Sequence, residues 1–264
     1  MFPDNFHRLR WQEQAIQAEA VKAIESSPDH GLHIGMVERS LDLLNVLVGK
    51  APAKNDDDLT IQLLGIRVTN DLLGCLRLAL GGYCQPGVML LRDAFETTLL
   101  VDYFHLRPER IAEWRSFTSN DPSASNGESR KALRQEFKAV SIREALDNRD
   151  ADGSLRRMKR YKMLSSLGAH PTFAGIALTR DENGLAQWGP FFREALLFAV
   201  IEELVWVAME GAFVLGRHFE LEEIPQIAVD VGFYETMSRW NEHFFDVPHQ
   251  ADRFEELREL LHKA

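Results

Sequence analysis

The stretch PGVMLLRDAFETTLLVDYFHLRP, residues 86–108, decides the fold. Pro86 opens it, Pro108 closes it, and the residues between keep the 3.6-residue period of a helix. On a helical wheel Arg92 and Glu96 share a stripe with Met89, Leu99 and Tyr103. Leu90, Leu91, Ala94, Phe95, Leu100, Val101 and Phe104 fill the other faces. A helix that is apolar all round is buried in a core rather than laid on a surface. Other elements must therefore wrap it.

The flanking sequence supplies helices for that purpose. Upstream, apolar periodicity predicts helices over 11–26, 32–50 and 59–80. Asn55 followed by Asp56, Asp57 and Asp58 provides a cap and dipole-matched acids for the third, and Gly81-Gly82 ends it. Downstream, helices are expected over 111–117, 129–148, 155–167, 190–217, 231–245 and 251–262, with DPSASNG at 121–127 as a loop. Gly168-Ala169-His170-Pro171 interrupts the pattern. Only 172–189 reads as strand: Ile176-Ala177-Leu178-Thr179 and Leu185-Ala186-Gln187-Trp188 flank Asn183-Gly184, a hairpin signal. No repeat or low-complexity tract is present. The expected fold is mostly α, a single-domain helical bundle with one small β-hairpin insert. Residues 1–55 form N-terminal helices, 56–218 the core with its hairpin near 172–189, and 219–264 acidic C-terminal helices.

Composition narrows the class. In 264 residues, 45% are hydrophobic and 27% charged, which excludes collagen, a disordered tail and a disulfide scaffold. Two cysteines, Cys75 and Cys84, suit a reducing, cytoplasmic setting. The opening MFPDNFHRLR lacks the apolar run of a signal peptide. The most apolar segment, 195–215, carries Glu202, Glu203 and Glu210, each costly at a bilayer centre, so no membrane association is expected. A net charge of −10 argues against whole-molecule attraction to nucleic acid or anionic lipid. Locally the balance reverses: residues 128–163 hold eleven bases and six acids, including Arg156, Arg157, Lys159, Arg160 and Lys162 within seven residues. That run reads either as a phosphate-binding face or as a solvated helix surface.

Several side chains admit a functional and a structural reading. Arg92 and Glu96, one turn apart in the apolar helix, form either an internal ion pair or the wall of a polar pocket. His170, just past a helix end, is either a phosphate ligand or general acid, or a cap on the last carbonyls. Tyr161 and Ser165 share a helical face, and Ser165 has no visible activating base. Glu203 and Glu210 are expected to pair with Arg or Lys of a neighbouring helix. Phe233, Tyr234, Trp240, Phe244 and Phe245 read as core or as a dimer interface. For metal, Asp102 with His105 and Asp246 with His249 approximate a di-iron spacing, the second broken by Pro248. No CxxC, HExxH or Gly-rich phosphate loop is present, so no metal or other cofactor is expected.

LLRDAFETTLLVDYF and YKMLSSLGAHP together resemble a widespread bacterial helical family of unknown function, itself similar to HEPN-type bundles. Arg92, Glu96, Tyr161, Ser165 and His170 occupy the positions of its Arg-x-x-x-Glu and Tyr-x-x-x-Ser-x-x-x-x-His-Pro motifs. The resemblance implies an all-helical, often dimeric protein of a defence or toxin–antitoxin system that engages RNA or a nucleotide. Arg92, Glu96 and His170 would then carry catalysis, with Arg160, Tyr161 and Ser165 on the ligand or its phosphate. The HEPN hallmark of Arg, four to six residues, then His is absent: nine residues separate Arg160 from His170, and three separate Arg239 from His243. Whether the chain is a ribonuclease is therefore open. The alternative is a non-catalytic homodimeric adaptor with a protein partner, in which these polar residues lock helix register.

Overall fold

A computed structural model describes residues 3–50, 53–118 and 127–263. Among them the chain forms a mostly α bundle. Helices α1 (Asp4–Glu25), α2 (Pro28–Lys50), α3 (Asp56–Leu80) and α4 (Cys84–Leu106) come first, then the shorter α5 (Arg110–Thr118), α6 (Gly127–Glu136), α7 (Ala139–Arg149) and α8 (Ala151–Leu164). One π-helical turn (Ser165–Ala169), α9 (Phe173–Ala177), α10 (Glu194–Gly216), α11 (Ile224–Phe245) and α12 (Ala251–Lys263) complete it. The loop expected at 121–127 lies, but for Gly127, outside the described residues. None of the described helices is long and apolar enough to cross a membrane.

The core forms where α4 and α10 cross, with α2 and α3 closing around them. As the wheel requires, α4 buries Leu91, Ala94, Phe95, Leu99, Val101 and Phe104. On α3 the ends are set by local chemistry. The Asn55 side chain accepts hydrogen bonds from the N–H groups of Asp57 and Asp58, both at 2.8 Å. At the other end Tyr83 N–H reaches Leu78 O and Gly82 N–H reaches Ala79 O, a Schellman closure with Gly82 at φ +84°. Cys75 and Cys84 are buried free thiols, and burial pushes Cys84 up to about 11.

Two expectations need correction. No β-hairpin forms among the described residues; a single antiparallel bridge joins Arg180 to Ala186. The turn itself is well made: Asp181 Oδ1 accepts from Asn183 and Leu185 N–H at 2.9 Å, and Gly184 takes φ +77°. What is missing is a face to bury, since Leu185 is 63% and Trp188 91% exposed. The first expected strand is drawn into α9 because the Thr172 hydroxyl accepts from Gly175 N–H at 3.0 Å and caps a helical turn. The single helix expected over 129–148 is broken at Lys138. There Phe137 turns into a ring cluster with Tyr103, Phe104 and Phe117, and Ser141 Oγ donates to the freed Gln135 carbonyl at 2.8 Å.

Candidate functional site

Arg92 and Glu96 project one turn apart from α4, and Arg92 Nη2 lies 2.6 Å from Glu96 Oε1. Arg92 Nε also donates to Ser165 Oγ at 3.4 Å, so the site is built from two elements 73 residues apart. Both members of the ion pair are mostly covered, with side chains 26% and 20% exposed. Burial lifts the Glu96 carboxyl above its usual range and Asp93 adds to this, while the charges of Arg92 and His170 oppose it. His170 is thus in electrostatic reach of Glu96. It is itself exposed, on extended backbone (φ −116°, ψ 148°) directly after the π-helical turn.

The π-helical turn is held against α4 by a missing side chain. A Cβ on buried Gly168 would stand 3.0 Å from Val88 O and 3.2 Å from Met89 N and Cα, backbone atoms that cannot move aside cheaply. Wide π-turns of this kind occur often at functional sites. Gly168→Ala is expected to lift the turn from α4, costing about 1–3 kcal/mol by overpacking and separating Ser165 from Arg92. A lower urea midpoint at unchanged slope would register it; an unchanged midpoint would show that the close approach does not persist in solution.

The other candidates lie elsewhere. Arg160 Nε donates to Glu203 Oε2 at 2.9 Å, its Nη1 stands 4.0 Å from Glu210 Oε2, and its guanidinium lies 5.4 Å from the Trp206 ring centroid. This is the interhelical pairing expected of Glu203 and Glu210, made by α8. Arg160, Glu210 and Trp206 line a cavity of about 350 Å³ together with Arg156, Arg157 and Asn241. Burial raises the Glu210 carboxyl, against the pull of Arg160 and Arg157. Tyr161 faces neither group: the Arg143 guanidinium sits 5.8 Å from its ring centroid. The structure therefore brings Arg92, Glu96 and Ser165 together, with His170 following directly on the π-helical turn that carries Ser165, and sets Arg160 and Tyr161 on separate partners.

Of the five clustered bases, Arg157 turns inward to Asp147 and Asp150 and Arg160 to Glu203, while Arg156, Lys159 and Lys162 are exposed. Asp93 leaves Arg92 alone and forms a bidentate pair with Arg67 at 2.7 and 3.0 Å. Asp71 lies beside that pair, its carboxyl pushed up to about 7 by burial and by Asp93. Phe233 and Trp240 of the aromatic group are buried, Trp240 packing edge-on to Trp206 at 5.0 Å.

Sequence reasoning passed over a buried charge cluster. Asp102, weighed only as half of a metal motif, is 5% exposed and receives both Arg149 and Arg217. Its signal was available: it is the single acid in the apolar run that follows Glu96 in α4. Glu259 and His262 have a true Glu-x-x-His spacing, but they lie on the exposed α12, where Glu259 pairs with Lys263 at 3.2 Å. Among the described residues no three His, Cys, Asp or Glu side chains converge in a way that could hold a metal ion. Comparison with protein-family models, with curated proteins and with solved structures returns no match in any of the three.

Proposed function

We propose that the protein is a HEPN-like, cytoplasmic component of a bacterial defence or toxin–antitoxin system, and that it engages RNA or a nucleotide at the Arg92–His170 group. The observation that carries this reading is the Arg92–Glu96 pair with Ser165 over it, at the junction of α4 and the π-helical turn that leads directly into His170. Glu96 holds the Arg92 guanidinium in one orientation, the arrangement a phosphate-binding arginine needs. The exposed His170 imidazole is free to carry a proton to or from a phosphoester oxygen. The exposed bases of α8, Arg156, Lys159 and Lys162, supply a local positive field on an otherwise acidic molecule.

The second reading is a non-catalytic dimeric adaptor. It is favoured by one distance: at 2.6 Å, Glu96 already neutralises Arg92, as in an ion pair that only fixes register. Incubating the purified protein with total cellular RNA, with and without chelator, separates the two. His170→Ala, at an exposed position, is expected to leave the helical circular dichroism and melting temperature unchanged while cleavage falls at least ~100-fold, the usual share of an acid–base group. Arg92→Ala run alongside should lose cleavage as well. Absence of cleavage and of salt-sensitive RNA binding in the wild-type protein would decide for the adaptor.

A further inference from the structure

Helix α3 is apolar on two opposite faces. Ile61, Leu64, Val68, Leu72 and Cys75 enter the core. On the other side Leu59, Leu63, Ile66, Asn70, Leu73 and Arg77 are all exposed, at alternating intervals of four and three residues. That is the 3.5-residue repeat of a coiled-coil seam. Its four apolar members are 44%, 56%, 38% and 47% exposed. The outer face of a bundle helix is normally polar, so an apolar stripe with this period, interrupted only by Asn70 between Leu59 and Leu73, marks a surface for another helix.

The charges at its two ends select the partner. The repeat runs on to Asp56 at one end of α3, and Arg77 stands near the other. The Asp57 carboxylate is taken by Arg115 at 2.8 Å, and Asp58 Oδ2 accepts Lys54 N–H at 3.1 Å. The Asp56 and Arg77 side chains have no partner among the described residues. We infer that α3 pairs with α3 of a second copy of this chain, antiparallel across a two-fold axis. In that register Leu63 layers on Leu73 of the second copy, Ile66 on Asn70, and Leu59 on Arg77, which brings each Arg77 within one helical turn of the opposite Asp56. Parallel pairing would instead set Asp56, Asp57 and Asp58 of both copies side by side and align the two helix dipoles. The segment 119–126, SNDPSASN, which follows α5, has no large apolar side chain with which to cover the stripe.

From Leu59 to Arg77 the seam is about 27 Å long, and Asn70 enters two of its layers opposite Ile66, so the dimer is reversible and concentration-dependent. Its contacts are separate from the Arg92–His170 group, and His170→Ala leaves it intact. Sedimentation equilibrium over a range of concentrations tests the assignment. The expected result is a monomer–dimer equilibrium for the wild-type protein, weakened at least tenfold by Leu63→Glu and by Asp56→Arg. It is restored when Asp56→Arg is combined with Arg77→Asp. These positions are exposed, so circular dichroism melts in the dilute, monomeric range should stay within a few degrees of the wild-type protein. Mixing Leu63→Cys chains with Leu73→Cys chains should give a mixed intermolecular disulfide under oxidation. A monomer at every concentration, or a dimer indifferent to Leu63→Glu, overturns the proposal. A Leu63→Cys homodisulfide formed more readily than the mixed one overturns the antiparallel arrangement.

Discussion

Replacing Asp102 by alanine is expected to lower the unfolding free energy by about 3 kcal/mol, the cost of stranding buried charge. Asp102 receives Arg149 through a two-pronged contact, Nη1 to Oδ1 at 2.9 Å and Nη2 to Oδ2 at 2.7 Å, and Arg217 Nη1 at 3.1 Å. Its side chain is 8% exposed, those of Arg149 and Arg217 22% and 35%. Removing the acid leaves two guanidinium groups facing each other across a poorly solvated space. The cost stays near the lower end for such losses because Arg149 keeps Asp150 and Arg217 can turn toward water. A chain of this size should then melt roughly 6–12 °C lower. Arg217→Ala should cost much less, since the two-pronged pair survives it. An Asp102→Ala melting shift below about 2 °C would mean that water already solvates this cluster.

The second large effect follows from His33. It is 7% exposed, stacks on Phe244 at 4.5 Å, and accepts the Trp240 indole N–H on Nδ1 at 2.9 Å. A proton on Nδ1 would set two donors against each other inside the core. Burial above all, with the nearby His30, pushes the imidazole down to about 4 from an ordinary 6.5, against the pull of Asp29. The unfolded chain therefore binds the proton more readily than the native one. Stability is fully present above pH 6.5, falls as pH drops from 6.5 toward 4, and is then lower by roughly 3 kcal/mol. Raised carboxyls such as Asp71, Glu210 and Asp230 work in the opposite sense, gaining stability as pH falls. The observable is thus the difference between the wild-type protein and His33→Asn, whose amide oxygen can still accept from Trp240. Denaturation followed from pH 7.5 to 4 should show the wild type losing about 1.4 kcal/mol more per pH unit across the window. Parallel profiles would remove His33 from the acid sensitivity.

How much of this was legible in the sequence depends on the range of the interactions involved. The apolar wheel of 86–108 announces a buried helix, and Asn55 and Gly82 mark the ends of α3, because each of those signals is local. The break at Lys138 is not local: the apolar period runs on, and only the pull of Phe137 toward Tyr103, Phe104 and Phe117 interrupts it. Asn183-Gly184 correctly marks a turn, but a turn does not reveal whether its flanks have a surface to cover. In the site, Arg92 and Glu96 are legible as an i, i+4 pair. That Ser165 lies over Arg92, and that Arg160 turns to Glu203 rather than toward them, are tertiary facts across 73 and 43 residues. Charge partners at such separations leave no periodic trace.

The π-helical turn at Ser165–Ala169 has a consequence in helical phase. Such a turn closes its hydrogen bonds over five residues instead of four, so it holds one residue more than an α-helical turn over the same path. Winding the same five residues into an ordinary helix would instead turn everything beyond it by about 100°. His170 would swing off the side of the bundle that carries Glu96, with every side chain of the group still in the sequence. The group is therefore specified by a count of backbone residues as much as by their identities.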